Sequence, residues 1–173
     1  ELAVLRRAFR DVAIARPDVL SWGVVLEYEL HLEGGRRPDV VVLTGDCVVT
    51  LEFKHTNRVN VADLDQVAAY ARDLAEYHAG THDYSSIPVL VPTGMRGIAT
   101  AVDGVQVVAP VGLAPFFSNL PAGPKPDLAR WVNAPYQPLP SLVEAARLIF
   151  REQSLPRIRR CLSSGVPEAV EYL

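Results

Sequence analysis

The stretch from Arg36 to Lys54, RRPDVVVLTGDCVVTLEFK, limits what this chain can fold into more than any other. Two short apolar runs flank Thr44-Gly45-Asp46, a tight polar turn, and that pattern reads as a β-hairpin. A hairpin returns the end of its second strand to the start of its first, so Asp39 is expected beside Glu52 and Lys54. Side chains alternate across a strand, which sends Leu51 and Phe53 into the core and leaves Glu52 and Lys54 on one shared face. Two carboxylates and an ammonium on one surface make a candidate metal and phosphate site. On an arbitrary hairpin the same three residues would more often be a solvated ion-pair cluster.

The flanking segments extend the hairpin into a domain. Leu2, Leu5, Phe9, Val12 and Ala13 recur at helical spacing, and the helix is expected to end before Pro17, because a residue preceding proline is driven out of the helical region. Trp22 to Leu32 alternates Val24, Leu26, Tyr28, Leu30 and Leu32 with Glu27, Glu29 and His31. That alternation predicts one long strand with a buried face and an acidic face. After Lys54, Asn60 is a good N-cap and Asp63 suits the first turn of a helix running to Tyr77 or His78. Its apolar stripe is Val61, Leu64, Val67, Ala68, Ala71, Leu74 and Ala75, and Gln66 and Tyr70, four apart, share a face. Ile87 to Val91 and Val105 to Ala109 read as two further strands. Strands and helices in this order define an α/β domain.

From Pro110 to Pro140 the chain is proline-rich, so regular structure is expected to be sparse beyond a short helix near Asp127 to Val132. Phe116, Phe117, Trp131 and Tyr136 make it an ordered arm packed on the core, with a linker as the alternative. Ser141 and Glu144 form a capping box ahead of one helix, and a second is expected near Leu155 to Leu162. The expected divisions are a core at 1–109, the arm at 110–140 and a helical segment at 141–173.

With 173 residues, 49% of them hydrophobic, the chain can bury a full core. A net charge of -3 supplies no global basic field, so any nucleic acid must be held by local patches. Cys47 and Cys161 belong to no motif, which suits a reducing compartment. No apolar run reaches the ~20 residues that span a bilayer and no signal peptide is recognisable, so the expectation is a cytoplasmic protein without membrane contact. The chain opens at Glu1 without a Met and is read as a fragment. The scattered His31, His55, His78 and His82 are expected at the surface.

A hard divalent cation, Mg2+ or Mn2+, takes oxygen ligands, commonly one or two carboxylates completed by water and substrate phosphate. Asp39 and Glu52 can supply those oxygens, Glu27 is preferred over Glu29 as a further ligand, and Lys54 can orient a water or stabilise charge on phosphorus. Arg36, Arg37 and Arg58 flank the group and suit phosphate contacts, although a surface strand edge explains them equally well. His55, next to Lys54, can touch substrate.

Pro38-Asp39 followed by Glu52-x-Lys54 resembles the PD-(D/E)XK nuclease superfamily. Gln66-x-x-x-Tyr70 is similar to the Q-x-x-x-Y motif of its RecB-like branch. The resemblance covers roughly Trp22 to Thr93 and implies a restriction-endonuclease-like fold: a three-layer α/β/α core with a central mixed sheet, here followed by the proline-rich arm and C-terminal helices. It also implies that Gln66 and Tyr70 border the active site and contact substrate. The runs LEYELHLEGGRRPDVVVL, LEFK, QVAAYARDL and IPVLVPT resemble the nuclease-like domain that precedes a helicase domain in certain bacterial proteins. No G-x-x-x-x-G-K-[ST] loop occurs in this chain, so the implied helicase lies outside it. The expected function is metal-dependent hydrolysis of DNA, with RNA as the alternative substrate. The competing expectation is a silent nuclease-like module that binds nucleic acid or regulates an attached helicase.

Overall fold

The computed structural model describes residues 1–138 except 32, 98 and 99, together with residue 150. The chain divides into two compact units, Glu1–Gln137 and Pro138–Leu173, and the first carries every element described below. The helices expected after Ser141 lie outside the described residues. Among those residues no helix is long and apolar enough to cross a membrane.

Helix α1 (Leu2–Ala15) leads through a 3-10 turn at Pro17–Ser21 into strand β1 (Gly23–Leu26). Strands β2 (Val40–Leu43) and β3 (Cys47–Lys54) form the expected hairpin, followed by α2 (Val61–Tyr77) and β4 (Ser85–Pro92). A second hairpin, β5 (Thr100–Val102) and β6 (Val105–Val107), and two short helices, α3 (Leu113–Ser118) and α4 (Leu128–Val132), complete the unit. The six strands make one mixed sheet in the order β1-β2-β3-β4-β6-β5, with β3, β4 and β6 parallel and the other pairs antiparallel.

Both faces of the sheet are apolar, which is why its strands read as nearly unbroken hydrophobic runs. On one face Val40, Val42, Val49, Leu51, Phe53, Val89 and Val91 pack with Leu5, Ala8 and Val12 of α1 and with Leu113 and Phe117 of α3. On the other, Val41, Leu43 and Val48 meet Tyr70 and Leu74 of α2 and Trp131 of α4, while Leu90 meets Leu64 and Val67. Helices therefore cover the sheet on both sides.

Local chemistry explains the elements that carry the site. In the β2–β3 turn Thr44 Oγ1 accepts from the amides of Asp46 and Cys47 at 3.3 and 2.9 Å. Gly45 is required there by close approach: a Cβ would stand 2.1 Å from the backbone of Gly123, so the proline-rich segment lies backbone to backbone on the turn. Helix α2 starts where Asn60 Oδ1 accepts from Ala62 N at 2.8 Å.

Three expectations are corrected. The strand predicted for Trp22 to Leu32 ends at Leu26, because Glu27 turns into the left-handed region at φ 51°. Its phase is also reversed: Gly23 is buried, whereas Val24 and Leu26 are 38% and 46% exposed at the sheet edge. Strand β5 and helix α3 were not anticipated. In β5 all three residues keep some exposure, which leaves little hydrophobic signal, and α3 contains Pro115. His78, expected at the surface, is wholly buried.

Candidate functional site

Side-chain alternation sends Val48 and Glu52 of β3 to the sheet face covered by α2. Extending the strand register by one residue sets Asp39 opposite Glu52 and Glu27 opposite Asp39. The amide of Glu27 donates to the carbonyl of Asp39 at 3.0 Å, which continues that pairing beyond the end of β1. Asp39 and Glu52 thus begin an acidic row, about 5 Å apart across the sheet, and the exposed Glu27, one residue past β1, extends it closely enough for its charge to act on Asp39. Glu29 is not part of the row. With the strand broken at Glu27, it points away and pairs with Arg37 at 2.8 Å on the exposed surface.

Glu52 is the centre of the cluster and is only 4% exposed. Its Oε1 accepts from Lys54 Nζ at 2.9 Å and from Gln66 Nε2 at 2.9 Å. The Gln66 amide also donates to Tyr70 Oη at 2.9 Å. A glutamine amide has two donors on one nitrogen, so only this orientation serves both acceptors. The Gln66 and Tyr70 side chains, four apart on α2, meet as helical spacing requires. Glu52 Oε2, in contrast, is buried with no hydrogen-bond partner. Buried carboxylate oxygens are rarely left so, because an unmade bond to a charged group is costly.

Asp39 is held from behind. Its Oδ2 accepts the amide of Phe53 at 2.7 Å, and the side chain is partly buried. Burial raises the pKa of Asp39; the Phe53 amide is the largest opposing influence, the charges of Glu1 and Glu27 add to the rise, and Lys54 opposes it. Burial likewise raises Glu52, with Asp39 contributing and the Lys54 hydrogen bond opposing. For Lys54 burial pulls downward, but the hydrogen bond and charge of Glu52, with Asp63 and Asp39, hold the ammonium above its ordinary value. The cluster is a concentration of negative charge facing one committed cation. Glu1 is a member that residue spacing offers no reason to include, since only tertiary packing brings the start of α1 to the start of β2.

The remaining expected residues divide. His55 is exposed beside the cluster, its Nδ1 3.1 Å from Thr93 Oγ1 and its Nε2 3.4 Å from Glu1 Oε1. Arg37 is exposed and pairs with Glu29 through one nitrogen, whereas Arg36 turns inward to Asp73.

The donor set suits a hard divalent cation. An orphaned carboxylate oxygen on Glu52 lies next in the row to Asp39, whose Oδ1 accepts no hydrogen bond among the described residues, and all candidate ligands are oxygens. Among the described residues no group of three or more His, Cys, Asp or Glu side chains is placed to hold a metal ion together. Magnesium commonly keeps several waters and takes one or two carboxylates, so two side chains are an adequate protein contribution. No protein-family model, curated protein or solved structure matches the chain.

Proposed function

We propose that this chain is a metal-dependent phosphodiesterase of the PD-(D/E)XK type, with a restriction-endonuclease-like core, that cuts DNA. The reading is carried by Glu52: a buried carboxylate with one oxygen held by Lys54 and Gln66 and the other unpartnered, next in the row to Asp39. A structural ion pair would use both oxygens or expose them. Here one is buried and has no protein partner.

Asp39 and Glu52 would hold Mg2+ or Mn2+, with Glu27 reaching from the neighbouring strand end. When bound, the cation supplies Lewis-acid polarisation of a phosphate oxygen and a more acidic water. The protein's own groups do the rest. Lys54, about a quarter exposed, presents an ammonium that can donate to an attacking water or to the developing charge on phosphorus. Gln66 fixes the rotamer of Glu52, Tyr70 fixes Gln66, and His55 lies on the exposed side, where a DNA backbone would pass. A linked helicase domain remains the proposed partner, because a domain of net charge -3 has little long-range attraction for nucleic acid.

The test is cleavage of single- and double-stranded DNA with and without Mg2+ or Mn2+. Asp39→Ala and Lys54→Ala should each lower the metal-dependent rate by about 100-fold or more while the thermal melt persists. Wild-type levels of cutting in either variant would refute the assignment. Metal and DNA binding without cleavage in the wild type would instead favour a silent nuclease-like module.

A further inference from the structure

Helix α2 carries a third polar residue in the same stripe as Gln66 and Tyr70. Asp73 follows Tyr70 by three positions and is 2% exposed. A carboxylate so buried must be paired. Its nearer cation is Arg36, whose Nη1 lies 2.6 Å from Asp73 Oδ2 and 3.4 Å from Glu33 Oε2, while the half-exposed Arg72 stands 3.8 Å from Oδ1. The same guanidinium lies over the ring of Tyr70, with Cζ 5.0 Å from the centroid. Arg36 stands three residues before Asp39, and its carbonyl accepts from Leu30 N at 3.0 Å. One side chain therefore joins the loop that delivers Asp39 to the helix that secures Glu52.

The contacts form a series. Asp73 fixes Arg36, the Arg36 plane fixes the Tyr70 ring, Tyr70 Oη takes one Gln66 hydrogen, and the other goes to Glu52 Oε1. With Oε1 committed, Glu52 can offer only Oε2 to a ligand. We propose that Arg36, locked by Asp73, is a positioning residue for metal binding, setting the Glu52 carboxylate through Tyr70 and Gln66. The inference rests on reading the acidic row as a metal site. Arginine is needed because a planar guanidinium can pair with Asp73 and stack on Tyr70 at once, whereas a lysine ammonium has no plane to stack.

The test is Mn2+ titration calorimetry on the full chain, with circular-dichroism melts alongside. Arg36→Lys keeps the charge facing Asp73 and should weaken Mn2+ binding about 10-fold, the usual consequence of losing support behind a metal ligand. Gln66→Ala should weaken it similarly. The double variant should bind no more weakly than Gln66→Ala alone, because both act through one series; two independent structural defects would add. If Arg36→Lys proves unfolded, Tyr70→Phe carries the test, since it retains the ring under Arg36 and removes only the hydroxyl. Unchanged affinity in the folded variant, or additive losses in the double, overturns the inference. A wild type that binds Mn2+ but cuts no DNA refutes the proposed activity and leaves this inference standing, whereas a wild type that binds no Mn2+ overturns both.

Discussion

Helix α2 has a polar group at each end of its buried face, and the two are built on opposite principles. Towards its N-terminal half, Gln66 meets Glu52 in a row of acids. At its C-terminal end, His78 is buried among rings, stacked on Trp131 with centroids 4.1 Å apart and flanked by Tyr28 at 5.7 Å. Trp131 Nε1 donates to Thr81 Oγ1, which lies 3.1 Å from His78 Nδ1. Each group leaves one buried atom unpartnered, Glu52 Oε2 and His78 Nε2. Burial, with the charge of His82, pushes the His78 pKa down to about 4, so the ring stays neutral and its surroundings remain uncharged. The acidic row meets the same cost from the other side: neighbouring carboxylates repel, one lysine answers them, and burial raises the pKa of both Asp39 and Glu52. The comparison teaches that the same unpartnered buried atom sits in two settings: on a ring kept neutral among aromatic groups, and on a carboxylate crowded by like charge, where a bound cation would offset the cost.

The largest test of that contrast is Trp131→Ala. It removes a ring that is 3% exposed and should cost about 3–5 kcal/mol in denaturant unfolding, with Mn2+ affinity unchanged. A matching loss of Mn2+ binding would break the separation between the two clusters.

Acid titration comes next. The folded pKa of His78 lies below its unfolded value of 6.5, so its contribution to stability is full above 6.5 and is lost as pH falls towards about 4. The loss should approach about 3 kcal/mol and disappear in His78→Gln. Equal slopes in both proteins would show that His78 is not the titrating group.

Asp39 and Glu52 should give the opposite slope. Their folded pKa values are raised, so they favour folding below their ordinary values of 3.8 and 4.5, and that contribution is lost as pH climbs through the raised values. Glu52→Gln should flatten this rising-pH loss. It should also hold stability to within about 1 kcal/mol near neutrality while reducing Mg2+-dependent cleavage to background. A large drop in melting temperature would mark Glu52 as a structural ion pair instead.

The fold was legible where local patterns repeat. The hairpin turn, the registers of β2 and β3, the Asn60 cap and the apolar stripe of α2 are all written in residue spacing. Elsewhere the spacing misled. Val24 and Leu26 alternate correctly for a buried face, yet β1 is an edge strand that the helices cover incompletely. The alternation through Tyr28 and Leu30 continues past the point where Glu27 bends the backbone, and Leu30 is buried from a loop rather than from a strand. Arg36 and Arg37 look equivalent in sequence; packing turns one inward to Asp73 and leaves the other at the surface with Glu29.

The sequence by itself determined that Asp39, Glu52 and Lys54 would meet and that Gln66 and Tyr70 would share a helix face, because strand and helix periods are local and set by covalent geometry. Only the tertiary structure decided that Gln66 reaches Glu52, that one Glu52 oxygen is used twice and the other not at all, and that Arg36 stands behind Tyr70. Those facts depend on how α2 lies across the sheet and on which side chains lose water when it does, and no spacing along a single chain encodes that.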